Sequence, residues 1–99
     1  MKTGIELIAE ERENHTHTAS HDDTHQHAEI ASAGRCYLGH AIGLAYGMPR
    51  QTSVPREWPW ERTAWKPSET PIHDLVKAGA LIAAEIDRLL RADMRLRNQ

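Results

Sequence analysis

Two stretches of the chain carry the side chains that could do chemistry. In Arg56-Glu57-Trp58-Pro59-Trp60-Glu61-Arg62-Thr63-Ala64-Trp65-Lys66-Pro67, aromatic residues alternate with cations. An indole face can stack on a purine, and a neighbouring Arg or Lys can hold a phosphate, each contact contributing on the order of 1–3 kcal/mol. Arg56, Trp58, Trp60, Arg62, Trp65 and Lys66 are therefore candidate contacts for a nucleotide-like ligand. The competing use of these residues is structural, since large aromatics in a small protein commonly plug the open end of a helical core. That use accounts for the Trp residues better than for the cations between them.

The second stretch is His21-Asp22-Asp23-Thr24-His25-Gln26-His27-Ala28-Glu29, preceded by Glu6, Glu10 and Glu13 on one face of a first helix. Imidazoles and carboxylates bind divalent metals, and His25 and Glu29 stand one helical turn apart. Glu10, Asp22, His25 and Glu29 are the candidate metal ligands, and His21 and His25 are also candidate ligand contacts. Carboxylates from facing helices holding Mg²⁺ against a nucleotide's phosphates would make a pyrophosphohydrolase. The bland alternative is that these residues cap helices and line a solvated surface. No pair has a spacing as specific as His-Glu-x-x-His, so the preferred reading is binding without catalysis and without a cofactor. Cys36 and His40 are one turn apart, but no oxyanion donor or orienting carboxylate is marked beside them, and a buried apolar Cys is the commoner case.

The elements that must position these residues are helical. Thr70, Pro71 and Asp74 mark the start of a helix running to Leu96: an N-cap oxygen, a residue without an N–H, and an acid in the first turn. Leu75, Gly79, Ile82, Ile86, Leu89 and Leu90 recur at spacings of three and four and predict the buried stripe, with Lys77, Arg88, Arg91 and Arg95 on the wet side. Gly79, Ala80, Ala83 and Ala84 flatten part of that face, so a second helix, or the same helix of a second subunit, can approach closely. Thr3-Gly4-Ile5-Glu6 reads as a capping box, opening a short helix with Ile5, Ile8 and Ala9 on one face. A further helix is expected to begin between Asp22 and Thr24 and to end at Gly47-Met48-Pro49, its inner face formed by Ile30, Gly34, Tyr37, Leu38, Ala41, Ile42 and Ala45. Residues 15–21 and 50–69 connect these helices, and the three Trp favour an ordered second connection. His73 belongs to a helix N-terminus and Tyr46 is expected to be packed. The fold class is all-α: one domain over 1–99, a small bundle of about three helices with a long Pro/Trp-rich loop before the last.

Composition agrees with that class. The chain has 99 residues, no Phe, three Trp and two Tyr, so its core must rest on Leu, Ile and Ala. So small a core commonly gains buried area by self-association, and a homodimer or higher homo-oligomer is expected. A single Cys excludes an intrachain disulfide. No apolar run spans a bilayer and no signal-peptide pattern is present, which points to the cytoplasm and to no membrane partner. The net charge of −2 hides an asymmetry: residues 1–34 carry seven acidic and two basic groups, residues 35–99 seven acidic and ten basic. A near-neutral total argues against duplex nucleic acid, which demands a broad basic face, but leaves room for a small anion.

Ile5-Glu6-Leu7-Ile8-Ala9-Glu10-Glu11-Arg12, His21-Asp22-Asp23-Thr24-His25, Trp58-Pro59-Trp60, Lys66-Pro67 and Asp74-Leu75-Val76-Lys77-Ala78-Gly79-Ala80-Leu81-Ile82, in that order, resemble a family of small phage- and prophage-encoded proteins. The resemblance spans nearly the whole chain and implies a helical fold, a viral origin and residence in the host cytoplasm. The family has no settled activity. The chain departs from it at residues 15–20, which are His-rich where the family carries a Gly-Trp turn. A small helical phage protein with a Trp- and Arg-lined loop is similar in kind to phage anti-defence proteins that sequester nucleotide immune signals, of the cyclic ADP-ribose or cyclic oligonucleotide type. The rival analogy is to helical nucleotide pyrophosphohydrolases of the MazG type, through Glu10-Glu11-Arg12-Glu13 and Glu85-Ile86-Asp87. There the second acidic pair is spaced Glu-x-x-Asp, and the shorter spacing here turns one acid away. A protein–protein inhibitor of a host factor is the third expectation.

Overall fold

The computed structural model describes residues 1–14, 22–24 and 28–98, and among these the regular structure is all helical. Helix α1 spans Gly4–Glu13, α2 spans Glu29–Ala45 and α3 spans Pro71–Arg97, with one 3₁₀ turn at Arg62–Ala64. Both α1 and α2 pack on α3, which is the scaffold. The bundle is a plate, 50 × 35 × 20 Å, whose thin dimension is about two helix diameters.

The helix starts follow from local chemistry. Thr3 Oγ1 accepts from the Glu6 N–H at 3.2 Å while Glu6 Oε1 accepts from the Thr3 N–H at 3.1 Å, a complete capping box. Thr70 Oγ1 accepts from the His73 N–H, and Pro71 follows as the first helical residue. At the far end of α2, Gly47 adopts φ +89°, and the Met48 and Gly47 N–H groups donate to the carbonyls of Gly43 and Leu44. This left-handed stop satisfies carbonyls that the helix leaves open.

The start of α2 differs from the expectation. The helix begins at Glu29, five residues after Thr24, because Ala28 takes a left-handed φ of 64° and breaks the helical path. Neither Asp22 nor Thr24 caps it. Asp22 instead lies fully buried, and Asp23 is clasped by Arg91 and Arg95 of α3 at 3.0 and 3.1 Å.

The buried face of α3 is also not the predicted stripe. Leu75, Ile82, Ile86, Leu89 and Leu90 are each about half exposed, and the buried residues are Asp74, Ala78, Ala80, Leu81, Ala84, Glu85 and Arg88. Small side chains let α2 come close: a Cβ on Gly34 would sit 3.4 Å from the Ala78 carbonyl. Arg88, expected on the wet side, is buried because its Nε donates to Glu85 Oε1 at 2.5 Å, so the pair enters the interior together. On α2 the predicted inner residues Ile30, Gly34, Tyr37 and Ala41 are buried, joined by Ala33, Cys36 and His40, while Leu38, Ile42 and Ala45 are exposed. Tyr46 lies beyond the last turn and is 85% exposed, and Ile5 is exposed on α1. The flat patch at Gly79 is filled from within the chain, since a Cβ there would lie 2.6 Å from Ile8 Cδ1 of α1.

The core joins Ile30, Ala33, Cys36 and Tyr37 of α2 to Ala78, Leu81 and Ala84 of α3, closed by Trp65, with Val54, Trp58 and Trp60 packed against it. The Trp loop therefore folds over one face of the α2/α3 pair and packs through its own side chains. No described helix is long and apolar enough to cross a membrane.

Candidate functional site

The loop residues are placed by the aromatic cluster around Tyr37. Its ring lies 4.8 Å from Trp65 and 5.7 Å from Trp58, centroid to centroid, and Trp58 meets Trp60 edge-on at 5.5 Å. Such edge-to-face pairs add about 0.5–1.5 kcal/mol beyond the area they bury. Trp58 Nε1 donates to the Glu61 carbonyl at 2.9 Å and Trp65 Nε1 to the Gln51 carbonyl at 3.3 Å, so two of the indoles pin the loop's backbone as well. The Tyr37 hydroxyl accepts from the Lys66 N–H at 3.2 Å. Burial pushes the Tyr37 phenol above its ordinary value, partly offset by that N–H, so it stays neutral near pH 7.

Trp58, Trp60, Tyr37, Ala64, Ala80 and Leu81 wall a cleft of about 240 Å³ whose polar groups are Glu11, Lys66 and Lys77. The Lys77 Nζ sits 5.1 Å over the Tyr37 ring and donates to the Lys66 carbonyl at 2.7 Å. Four elements thus meet here: α1 brings a carboxylate, α2 the Tyr37 ring, α3 an apolar floor with one ammonium, and the loop two indoles with a second ammonium. A planar ring could enter between apolar walls, with donors for an anion on one side and an acceptor for ring or ribose N–H and O–H groups on the other.

Of the predicted contacts, Trp58, Trp60 and Lys66 line this cleft. Trp65 is 6% exposed and belongs to the core, while Arg56 and Arg62 are exposed and outside the lining. His21 and His25 lie outside the described residues. Sequence reasoning missed Glu11, Tyr37 and Lys77, which come from separate helices and share no spacing with the loop. Tyr37 alone left a signal, as an inner-face residue of α2.

Of the predicted metal ligands, Glu10, Asp22 and Glu29 fall among the described residues and His25 lies outside them. Glu10 pairs with Lys2, Asp22 is buried with Arg12 Nη2 3.9 Å from its Oδ2, and Glu29 opens α2. Among the described residues no three His, Cys, Asp or Glu side chains gather around a common point. The nearby acids face arginines: Asp23 faces Arg91 and Arg95, Asp87 faces Arg12, and Glu85 faces Arg88.

A larger cleft, of about 530 Å³, opens on the other side of Trp65, between α2 and residues 51–57, and contains Cys36 and His40. Here the sequence missed a buried carboxylate. Asp74 Oδ2 lies 2.5 Å from His40 Nδ1, and its Oδ1 accepts from the Ser68 N–H at 2.9 Å. His40 Nε2 accepts from the Gln51 N–H at 2.9 Å, which places the ring proton on Nδ1 and leaves neither nitrogen open to a substrate. Burial raises the Cys36 thiol, so it is a poor nucleophile. The arrangement resembles a Cys-His-Asp catalytic set in composition only: it is a clamp that fastens both ends of the Trp loop to α2 and α3. No protein-family model, no curated protein and no solved structure matches this chain.

Proposed function

We propose that this protein binds and sequesters a nucleotide-derived signalling molecule in the Trp58–Trp60–Tyr37 cleft, as a phage-encoded anti-defence protein. The observation that carries the reading is the cleft's combination of three aromatic walls with two lysines and one carboxylate. A purine would stack between the walls, Lys66 and Lys77 would hold phosphate, and Glu11 would accept from ribose O–H or base N–H groups. At about 240 Å³ the cleft falls below the ~300–1,000 Å³ of whole drug-sized ligands, so it suits one ring system per chain. Ligands with a single purine, such as cyclic ADP-ribose isomers, are favoured over cyclic oligonucleotides. Binding is preferred over metal-dependent hydrolysis because the nearby carboxylates are engaged by arginines.

The test is calorimetric titration of the purified protein with a panel of nucleotides, cyclic dinucleotides and cyclic ADP-ribose isomers, beside mass spectrometry of small molecules released on denaturation. Trp60→Ala and Lys77→Ala are expected to weaken binding at least tenfold and Arg62→Ala to leave it unchanged. Ligand returned intact after incubation with Mg²⁺ supports sequestration, whereas metal-dependent turnover would replace it with the pyrophosphohydrolase. A panel with no binder, together with no released ligand, removes the reading.

A further inference from the structure

The Trp loop and α1 cover the α2/α3 pair unevenly, and one face of the pair is left bare. Of the seven Ile and eight Leu in the chain, only Ile30 and Leu81 are buried. Leu75, Ile82, Ile86 and Leu89 of α3 are 46–53% exposed, and Leu38 and Ile42 of α2 are 39% and 50% exposed. The two helices meet within this face: Ile82 Cγ1 would lie 3.6 Å from a Cβ on Gly34, at the seam between the helices, and Leu38 follows Gly34 by one turn. Residues this apolar are ordinarily the first to be buried, so the fold of a single chain leaves most of its Leu and Ile side chains at least partly exposed.

We propose that this face is covered by a second copy of the same chain, α3 against α3 across a two-fold axis. The spacing along α3 supports a helical partner. Leu75, Ile82, Ile86 and Leu89 follow steps of seven, four and three, the repeat of a coiled-coil seam, with Leu96 one heptad further on, while Gly79 at the edge of the stripe is taken by Ile8 of α1. The extent supports a stable one. Six half-exposed Leu and Ile side chains offer roughly 550 Å², at the upper end of the ~300–600 Å² that the largest apolar patch of a monomer reaches. With Leu90, Met94 and the flanking alanines, the face approaches the ~800 Å² that each partner gives to a standard interface. Its chemistry supports self-pairing. Between Leu75 and Leu89 the stripe carries no charge, and ions stand only at its margins, with Arg35 on α2 and the Asp93–Arg97 pair at 3.1 Å on α3. An apolar centre with a charged rim is how homodimer interfaces are built, and a two-fold axis lets one contact cover both faces at once. The proposed ligand cleft shares no residue with this face, so pairing here does not depend on the ligand, while Leu38 and Ile42 also border the larger cleft beside residues 51–57.

The test uses the full chain. Sedimentation at micromolar concentration is expected to give twice the 11.2 kDa chain mass. Ile82→Glu combined with Ile86→Glu is expected to give a single-chain mass with the helical circular dichroism retained, because neither residue belongs to the core. A parent of single-chain mass at 100 µM overturns the proposal and leaves the face to a different protein, and a double variant that remains dimeric overturns it as well. Should the double variant unfold, cross-linking decides. In a Cys36→Ala background, Ile82→Cys and Ile86→Cys are expected to form disulfide-linked dimers under mild oxidation and Arg62→Cys is not. Equal cross-linking at all three positions, or none at Ile82 and Ile86, overturns the proposal.

Discussion

Three tryptophans of one loop have three different environments, and the difference predicts different damage from the same substitution. Trp65 is 6% exposed, touches Tyr37, His40 and Trp58, and donates to Gln51. Its truncation leaves a cavity at the centre of the aromatic cluster, so Trp65→Ala should cost about 3–5 kcal/mol. Trp60 is only partly buried and lies at the edge of the cluster, against Trp58. Trp60→Ala should therefore lower stability by no more than about 1–2 kcal/mol, the pair energy plus part of the burial. Chemical denaturation of both variants checks the ordering, and equal losses would mean that Trp60 is a core residue rather than a cleft wall. Alternation of Trp with cations made the loop legible as a site, yet it did not separate Trp65 from Trp58 and Trp60. That separation depends on Tyr37, twenty-eight residues before Trp65 on another element.

At the scale of elements, the attachments of α1 and of the segment at Asp23 are small and therefore testable. No residue of α1 is fully buried; Ile8 against Gly79 and Arg12 with Asp87 at 3.3 Å hold it to α3. Replacing a mid-helix Gly with Ala ordinarily stabilises by up to about 1 kcal/mol, but here the new methyl meets Ile8. Gly79→Ala should thus stabilise the protein more in an Ile8→Ala background than in the parent, a coupling of about 0.5–1 kcal/mol read from a double-mutant cycle. Additive effects would show that α1 does not rest on this glycine. The Arg91 hydrogen bond, with Arg95 beside it, holds the Asp23 carboxyl below its ordinary value. A carboxyl lowered in the folded state contributes stability that is present above its unfolded pKa, near 4, and is lost as pH falls through the folded pKa. The melting difference between the parent and Asp23→Asn should accordingly be present at pH 7 and shrink progressively as the pH is taken below 4. A difference unchanged throughout the acid range would assign it to something other than the ion pair.

At the scale of the molecule, the capping signals of α1 and α3 were readable because they are local: Thr3 with Glu6, and Thr70 with Pro71 and His73, satisfy backbone groups within one turn. The direction of burial was not. Hydrophobic periodicity identifies which side of α3 is apolar, whereas the single chain buries the side that is narrow, with Ala78, Leu81 and Ala84 under Gly34 and the Trp loop. Asp74 was legible as a first-turn acid, but its partner His40 lies thirty-four residues away and no spacing rule joins them. The mismatch between the apolar side and the buried side bears on stability as well as on assembly. If the Leu75–Leu89 stripe is covered by a second chain, unfolding must release two chains, and its midpoint must depend on protein concentration. Each tenfold rise in concentration adds about 1.4 kcal/mol per dimer, which for a unit of roughly 200 residues raises Tm by about 3–5 °C. Calorimetry of the parent from 5 to 500 µM should follow that slope, and the Ile82→Glu/Ile86→Glu variant should melt at one temperature throughout. A parent whose Tm is the same across this range would mean that no second chain covers the face, and that the single chain is held together by the α2/α3 core, its Trp65 lid and the His40–Asp74 clamp.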